Sequence, residues 1–529
     1  MKGDIASTDG STAARPRFPW RLFAGVFAAL FVLLGAWSVA TPIYAVPDEP
    51  SHTVRATAAA HGQLVGDGKY FQAPGYLYIP GAGSCYWGKL DQTPACVGES
   101  PYGGELRRTL STAGTNSPVY YVWTGLPSLV LTGEPAILAM RLFSAALVAT
   151  LLAATAVLLR AYRARWALVI PLAAVTPELA FLGGAINPNA VEAAAAGALF
   201  AALLVLARRR PSGWLLGFGS VTAVVAAAFV TGGRSLGMLW VLVAAVGVIV
   251  LLRRADWHAL VRRTSTWVVL GLLAVVCAGQ LFWFTRPGNG VQAQLQPTPG
   301  SRLTVAQNML ENTFVYLRQL TGQFGTMDVP APEGVQTFWT ALFLALVILP
   351  LVLGRGRERW VTAGFTAVWV LVPVVVQVAL WRQVGDVWQG RYMLAVLLLT
   401  AIAGGLALDA RPRSEVAGSG TAAASPGVIA VLRTLLVLLA VGHLAAFVYT
   451  LRRYAVTNSS WVDFLLHPQW QPPAGTVALT AIVALMLVCA VVAVWRSLPA
   501  LFAPSPDQGD THGGAAVGSA FASGSHKKS

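Results

Sequence analysis

Long apolar runs separated by short polar connections recur from one end of the chain to the other. The hydrocarbon core of a bilayer, about 30 Å thick, is crossed by roughly 20 apolar residues in an α-helix. Runs of this length predict about twelve membrane-spanning helices. The predicted spans are residues 20–43, 136–159, 166–183, 189–207, 214–231, 236–252, 267–284, 338–354, 360–381, 391–408, 428–450 and 475–495.

Two polar segments between the predicted spans are long enough to do more than join helices. They are residues 44–135 and 285–337. The first is rich in Gly, Pro, Tyr and Trp, which favours a compact folded loop over a disordered one. Within it, residues 118–131 are apolar but short, and we interpret them as a re-entrant or interfacial helix. A true span there would invert every helix that follows.

The ends of the chain differ in character from the apolar core. We predict that residues 1–19 and 496–529 are disordered cytoplasmic tails and that residues 411–427 are a cytoplasmic linker. The transmembrane core is then residues 20–410, and residues 428–495 are the C-terminal membrane helices. The first apolar run is longer than that of a typical signal peptide, so we expect it to remain as an anchor.

Composition supports an all-α polytopic membrane protein. The chain is 56% hydrophobic and only 11% charged over 529 residues, with a mean hydropathy of +0.62. A soluble fold of this size is far less apolar. The net charge of +15 could suggest nucleic acid, but the basic residues form short clusters at predicted helix ends with no basic domain behind them. The predicted partner is therefore the lipid bilayer, and nucleic acid is not expected.

The basic clusters also predict the orientation, because Lys and Arg are retained on the cytoplasmic side of a membrane. With the N-terminus inside, the inner segments hold most of the 37 basic residues, including Arg208–Arg210 and Arg253–Arg254. Both termini are then cytoplasmic, and the two long loops are extracytoplasmic. Cys85 and Cys96 share the first outer loop, where oxidation occurs, and their short separation predicts a disulfide.

The motif PDEPSH, residues 47–52, directly follows the first predicted span. Its carboxylates Asp48 and Glu49 are candidate catalytic groups that can deprotonate an acceptor hydroxyl. Together with His52, which is also a candidate substrate contact, they can hold a divalent cation such as Mg²⁺ or Mn²⁺. The alternative is a solvated helix start, since Pro, Asp and Glu are all favoured in a first helical turn.

Arg391 begins a predicted span on the outer side, beside Gln389 and Gly390. Helix amides and a guanidinium can converge there on an anion, so Arg391, Gln389 and Tyr392 are candidate ligands of a phosphate group. Arg234 is a further candidate, because it is the one basic residue of its short outer turn and is not needed to set the topology. The alternative for Arg391 is a side chain that merely extends from the bilayer to the interface.

Other polar residues on the predicted outer side are candidate substrate contacts. Asn187 and Asn189 precede a predicted helix, where capping is the alternative role. Glu178 falls within a predicted span, and ionisable groups there are costly and usually face a cavity. Asp328 and Asp386 lie in later outer segments and can complete a polar site.

The segment YAVPDEPSHTVRATAAAHG, residues 44–62, resembles the opening motif of an uncharacterised family of bacterial polytopic membrane proteins. Further matches follow in order: SPVYY at 117–121, TP at 176–177, NPN at 187–189, GTMDVP at 325–330 and QGRY at 389–392. That family is related to the membrane-integral C-type (GT-C) glycosyltransferases, which carry an acidic motif in the first extracytoplasmic loop. The resemblance covers about residues 40 to 410 and implies a GT-C-like fold.

The resemblance implies an inverting glycosyltransferase of the bacterial plasma membrane. It would transfer a sugar from a polyprenyl-phosphate donor to a cell-envelope glycan or lipid, with Asp48 as general base or metal-linked carboxylate and Glu49 as its partner. Such a donor needs no nucleotide-binding domain, and the chain has no GxGxxG or Walker A sequence in a strand-turn-helix setting. Two alternatives stay open: a transporter or flippase for a lipid-linked glycan, and a non-catalytic scaffold of an envelope-synthesis complex.

Overall fold

The computed structural model describes residues 17–286, 300–410, 425–457 and 460–503. Most of the two predicted tails and of the predicted linker lies outside the described residues. Where they can be compared, residues 496–502, predicted as tail, continue the last helix. Residues 426 and 427, predicted as linker, begin another helix.

The described chain is mostly helical. Its α-helices are α1 (Trp20–Ala40), α2 (Glu49–Ala60), α3 (Pro118–Gly125), α4 (Gly133–Ala161), α5 (Trp166–Val169), α6 (Pro177–Gly183), α7 (Pro188–Arg208), α8 (Gly213–Gly233), α9 (Gly237–Leu251), α10 (Arg254–Val261), α11 (Thr264–Thr285), α12 (Arg302–Glu311), α13 (Thr313–Gly322), α14 (Glu333–Leu353), α15 (Gly356–Val384), α16 (Leu394–Asp409), α17 (Pro426–Ala455), α18 (Trp461–Leu466) and α19 (Thr476–Phe502). Two short antiparallel pairs add β1 (Tyr70–Pro74) with β2 (Leu106–Leu110) and β3 (Gln323–Phe324) with β4 (Val329–Pro330).

Ten of the described helices are long and apolar enough to cross a membrane. Two bent pairs raise the number to twelve if each is one span: Trp166–Ala174 with Pro177–Gly183, bent by 74°, and α9 with α10, bent by 115°. The prediction of an all-α polytopic membrane protein with about twelve spans is confirmed. The apolar stretch 118–131 forms α3 and the 3₁₀ turn Leu126–Leu129, which together are too short to cross a bilayer.

The predicted span 166–183 is broken because of its prolines. Pro177 begins α6, and a proline disfavours helical backbone at the residue before it. Thr176 accordingly has extended backbone, and its Oγ1 accepts a hydrogen bond from Leu179 N at 3.1 Å. This break places Glu178 in the first turn of a new helix, where sequence periodicity alone suggested the middle of a span.

Helix α7 lies at the centre of the bundle. In its most apolar stretch, 89% of the residues are buried. The helix packs against α4, α8, α9 and α16. The helix is rich in alanine, and small side chains let neighbouring helices approach closely in a membrane. The start of α7 therefore lies where several helix ends meet.

Charged contacts gather at the two ends of the bundle. At one end, Asp409 accepts hydrogen bonds from the backbone amides of Arg165 and Ala167, both at 3.1 Å. Arg208, at the end of α7, pairs with Asp256 at 3.6 Å. At the other end lie the two long loops, which contain α2, α3, α12, α13 and the four strands.

Two links stabilise the long loops. A disulfide joins Cys85 and Cys96 within the first loop, as the sequence predicted. The backbone amide of Gly88 donates a hydrogen bond to Asp328 Oδ2 in the second loop at 2.9 Å. The two loops are thus in direct contact at this end of the bundle.

Candidate active site

The structure brings Asp48 and Arg391 together, although 343 positions separate them in the chain. Arg391 Nη2 donates to Asp48 Oδ2 at 2.8 Å. The Arg391 side chain is 4% exposed and that of Asp48 is 49% exposed. A buried cation thus meets a carboxylate that solvent can reach.

Asp48 is held in an unusual backbone conformation just before α2. Its φ of 63° is left-handed, which costs energy for any residue other than glycine. Its carboxylate caps no amide in the described first turn of α2. The alternative of a helix start is seen in the backbone, because α2 begins at Glu49 with Pro50 in its first turn. That start is not solvated at Glu49, which is buried, and Asp48 caps no amide in it. Strained backbone of the kind found at Asp48 is concentrated at functional sites.

Arg391 belongs to a 3₁₀ turn, Gly390–Met393, that leads into α16. A Cβ on Gly390 would collide with the carbonyl oxygen of Tyr316 in α13, so only glycine fits there. The Gly390 amide donates to Gln319 Oε1 at 2.6 Å. Helix α13 of the second loop therefore fixes the position of Arg391.

A second arginine is linked to the same site through a chain of hydrogen bonds. Arg234 Nη1 donates to Asn189 Oδ1 at 3.0 Å, and Asn189 Nδ2 donates to Asn187 Oδ1 at 2.7 Å. Asn187 Nδ2 then donates to the carbonyl of Pro47 at 3.1 Å, directly before Asp48. Asn187 also caps α7, because its Oδ1 accepts from the Asn189 amide. The alternative capping role and the contact with the motif therefore coexist in one side chain.

Tyr392 lies between the two arginines. Its ring centre is 4.2 Å from the Arg234 guanidinium and 5.4 Å from that of Arg391. A cation over an aromatic face is stabilised by the quadrupole of the ring. The tyrosine therefore helps to hold two positive groups near each other.

The charges around Asp48 keep it ionised. Burial alone would raise the pKa of Asp48, but the Arg391 guanidinium lowers it, and the net pKa lies below its usual range. Burial lowers the pKa of His52 to about 3, so this imidazole is neutral at physiological pH. The Asp48 carboxylate opposes that shift in the pKa of His52, and Arg234 adds to it.

His52 is hydrogen-bonded to a tyrosine. Asn116 Nδ2 donates to the Tyr121 hydroxyl at 2.8 Å, and the distance from that oxygen to His52 Nδ1 is 2.9 Å. The Tyr121 hydroxyl therefore links the Asn116 amide to the neutral His52 ring. The buried Nε2 of His52 has no hydrogen-bond partner among the described residues.

Glu49 does not act as the partner of Asp48, contrary to the prediction. Its carboxylate accepts two hydrogen bonds from Arg141, Nε to Oε1 at 2.8 Å and Nη2 to Oε2 at 2.6 Å. The backbone amides of Tyr44 and Ile186 add hydrogen bonds, each at 3.2 Å. Both side chains of the pair are 0% exposed, so Glu49 is sealed inside the protein.

The predicted divalent cation has no ligand set in the described part of the chain. No three His, Cys, Asp or Glu side chains there are placed to hold one metal ion. Asp48, Glu49 and His52 lie close together in the motif, but they face Arg391, Arg141 and Tyr121, respectively. The three side chains thus do not converge on a common point.

Four predicted site residues remain, and only Glu178 interacts with the Asp48–Arg391 pair. Glu178 is buried close enough to Arg391 to interact with it electrostatically, and its Oε2 accepts from the Gln323 amide at 2.9 Å. Asp328, in contrast, holds the loop amides of Gly88 and Thr326, a structural role that leaves it outside the site. Asp386 is exposed, and the Gln389 Oε1 atom is buried without a partner among the described residues.

Sequence reasoning missed Arg141 and Tyr121. Arg141 falls inside the predicted span 136–159, and a charge within a span is costly enough to require a partner. The need of Arg141 for a buried carboxylate could have identified one residue of the motif as structural. Tyr121 belongs to the SPVYY motif, but its role could not be assigned from the sequence because it depends on a contact with His52 across 69 positions.

The fold and the site together define a multi-pass membrane protein with an arginine-rich polar centre at one end of its helix bundle. The chain belongs to the family described as predicted membrane protein (DUF2142), which it matches over residues 31–400. All the motifs that carried the resemblance lie in that range, so the family prediction is confirmed. No curated protein matches the chain.

Similar solved structures include two crystal structures of ArnT from Cupriavidus metallidurans. The apo state has 14% identity and a TM-score of 0.43. The form bound to undecaprenyl phosphate has 13% identity and a TM-score of 0.41. Each comparison covers 91% of this chain and 77% of that chain.

Proposed function

We propose that the protein is an inverting glycosyltransferase of the GT-C kind. It takes a sugar from a polyprenyl-phosphate donor and transfers it to a glycan or lipid of the cell envelope. The observation that carries the proposal is the ion pair between exposed Asp48 and buried Arg391, with Arg234 alongside. This combination offers a general base and two cationic groups for a phosphate within one site.

The donor phosphate binds between the two arginines. Arg391 has a buried Nε with no hydrogen-bond partner among the described residues, so it has donor capacity beyond its bond to Asp48. Guanidinium groups bind phosphate oxygens in a forked geometry and keep their charge at all physiological pH values. The phosphate weakens the Asp48–Arg391 pair as it binds and leaves the carboxylate available to the acceptor.

The reaction is a single displacement at the anomeric carbon. The acceptor oxygen forms a bond to that carbon, and the bond from the carbon to the phosphate oxygen breaks. Asp48 takes the proton of the acceptor hydroxyl, and the polyprenyl phosphate leaves with the bonding electron pair. Arg391 and Arg234 stabilise the charge on the departing phosphate, which is the part of the reaction where fixed cations contribute most.

The site lies on the extracytoplasmic face of the plasma membrane in this proposal. Both termini are then cytoplasmic, as the basic clusters predict. A disulfide in the loop next to the site suits an oxidising compartment. A membrane-embedded donor reaches such a site without leaving the bilayer.

The test is a transfer assay on the purified full chain in lipid nanodiscs. A panel of polyprenyl-phosphate sugars is supplied with envelope acceptors, and release of free polyprenyl phosphate is measured. We expect Asp48→Asn to lower the rate about 10²- to 10⁴-fold, the usual contribution of a general base. Asp67→Asn is the matched control, because Asp67 is also a loop aspartate paired with an arginine but is 83% exposed.

Two results would overturn the proposal. One is full activity in the Asp48→Asn protein. The other is flux of a lipid-linked glycan across proteoliposomes with no glycosylated product from any donor, which would instead identify a transporter.

A further inference from the structure

A cavity with mixed polar and apolar walls lies at the loop end of the bundle, apart from the Asp48–Arg391 pair. Its volume is about 330 Å³, within the range of small-molecule sites. The walls come from the end of α1, the disulfide-closed part of the first loop, the start of α4 and the segment before α19. Neither Asp48 nor Arg391 lines it.

Most of the residues that line this cavity are apolar, and among them stand an aromatic ring, two carboxylates and an amide. These groups are Trp470, Glu99, Glu134 and Gln471. Aromatic faces pack against the apolar C–H faces of sugar rings, and carboxylates and amides accept hydrogen bonds from hydroxyl groups. Among the described residues that line the cavity there is no Lys, Arg or His, which disfavours phosphate or any other anion.

A buried polar atom gives independent support for a ligand. Thr41 lines the cavity and is 4% exposed. Its Oγ1 has no hydrogen-bond partner among the described residues. A buried hydroxyl without a partner costs free energy, and a polar ligand in the cavity would remove that cost.

The walls of the cavity are held rigidly. Arg141 donates to the backbone carbonyls of Thr41 at 2.6 Å and of Pro42 at 2.9 Å, while its other bonds hold Glu49. In the segment before α19, the Trp470 amide donates to the carbonyl of Ala455 at 3.3 Å. A preformed cavity loses little free energy to ordering when a ligand binds.

We propose that this cavity is a saccharide-binding site for a neutral or amino sugar, separate from the site of transfer. Its carboxylates accept the hydroxyl or ammonium protons of the sugar, and Trp470 packs against the ring. The binding does not depend on the proposed glycosyl transfer, since it uses different residues. Thr41, which lines the cavity, and Asp48, in the transfer site, belong to the same short segment between α1 and α2.

The test is saturation-transfer NMR on the full chain in nanodiscs. The probes are methyl glucoside, glucosamine and glucuronate. We expect magnetisation transfer to the ring protons of methyl glucoside or glucosamine and none to glucuronate, because the carboxylates repel an acidic sugar. Trp470→Ala should weaken binding about tenfold, the order expected for loss of an aromatic packing partner.

Two controls separate this site from others on the protein. Trp461→Ala removes another tryptophan of the same loop segment, which is 51% exposed and does not line the cavity, and should leave binding unchanged. Asp48→Asn should also leave it unchanged, so failure of the transfer proposal and of this one can be told apart. No binding of either expected probe, equal binding of glucuronate, or binding that Trp470→Ala and Trp461→Ala affect alike would overturn the proposal.

Discussion

Asp48 and Glu49 are adjacent in the chain, and each pairs with an arginine from a distant segment, but their surroundings differ. Both side chains of the Glu49–Arg141 pair are 0% exposed. In the Asp48–Arg391 pair the carboxylate is 49% exposed. Arg141 also donates to three backbone carbonyls, those of Ser38, Thr41 and Pro42.

The difference shows that one acidic motif holds a sealed structural pair beside a pair that a ligand can reach. The buried pair has its polar atoms bonded within the protein, so it locks the end of α1 to α2 and α4. The exposed pair has strained backbone at its carboxylate and spare donor capacity on its arginine. A ligand can therefore compete for the second pair but not for the first.

The largest effect is expected from breaking the buried pair. Glu49→Gln leaves Arg141 charged, buried and without its carboxylate, a change that costs about 3–5 kcal/mol in comparable pairs. Thermal unfolding of the purified protein measures the loss of stability. Asp48→Asn is the comparison and should unfold close to the parent, since a half-exposed pair is screened by solvent. Equal stability of the Glu49→Gln protein and the parent would contradict the assignment of this pair as structural.

A smaller effect is expected from exchanging the cation of the exposed pair. Arg391→Lys keeps the charge but replaces the planar fork with a single ammonium group. Loss of one charge-assisted hydrogen bond, about 1.5–3 kcal/mol, should lower kcat/KM for the donor by roughly ten- to a hundredfold. Arg382→Lys, at an exposed position near the end of α15, is the matched control. The idea fails if both variants have the same kcat/KM.

A third ion pair, more exposed than the other two, extends the comparison. Asp67 and Arg108 lie 2.9 Å apart in the first loop, with side chains 83% and 55% exposed. Solvent and salt screen such pairs, so Asp67→Asn should change the free energy of unfolding by less than about 1 kcal/mol. Thermal unfolding at low and high salt checks this. A larger loss of unfolding free energy would show that the contribution of these three ion pairs to stability does not follow their exposure.

The smallest effect is expected from the titration of His52. Because burial lowers the pKa of His52 to about 3, the ring stays neutral as the pH falls through the usual range of histidine titration. Asp48, whose pKa is lowered, stays ionised over the same range and loses its charge only in stronger acid. The pH profile of transfer in the parent should therefore have no step near the ordinary histidine pKa of about 6.5. A step near that pH in the parent that is absent from the His52→Gln protein would contradict the conclusion that His52 stays neutral.

The apolar pattern predicted most of the fold. Each predicted span has a counterpart in the structure because lipid requires long apolar helices whatever their tertiary neighbours are. The pattern did not predict the sharp bend in the span 166–183, where Pro177 begins the second of two short helices. Hydropathy averages over such a break, although the proline itself is a signal for it.

The candidate site was predicted only in part. Asp48, Arg391, Arg234, Asn187 and Asn189 were singled out individually and lie together in the structure. The roles of Asp328 and Glu49 were not predicted, because each depends on partners supplied by distant segments.

The sequence by itself determined that this chain spans a membrane, which ends of its helices carry basic clusters, and which loops carry the unusual polar residues. Those properties follow from transfer free energies that act on each segment separately. Only the tertiary structure decided which of two adjacent carboxylates solvent can reach. That choice depends on where α4 places Arg141 and where the turn before α16 places Arg391, and helix packing sets those positions.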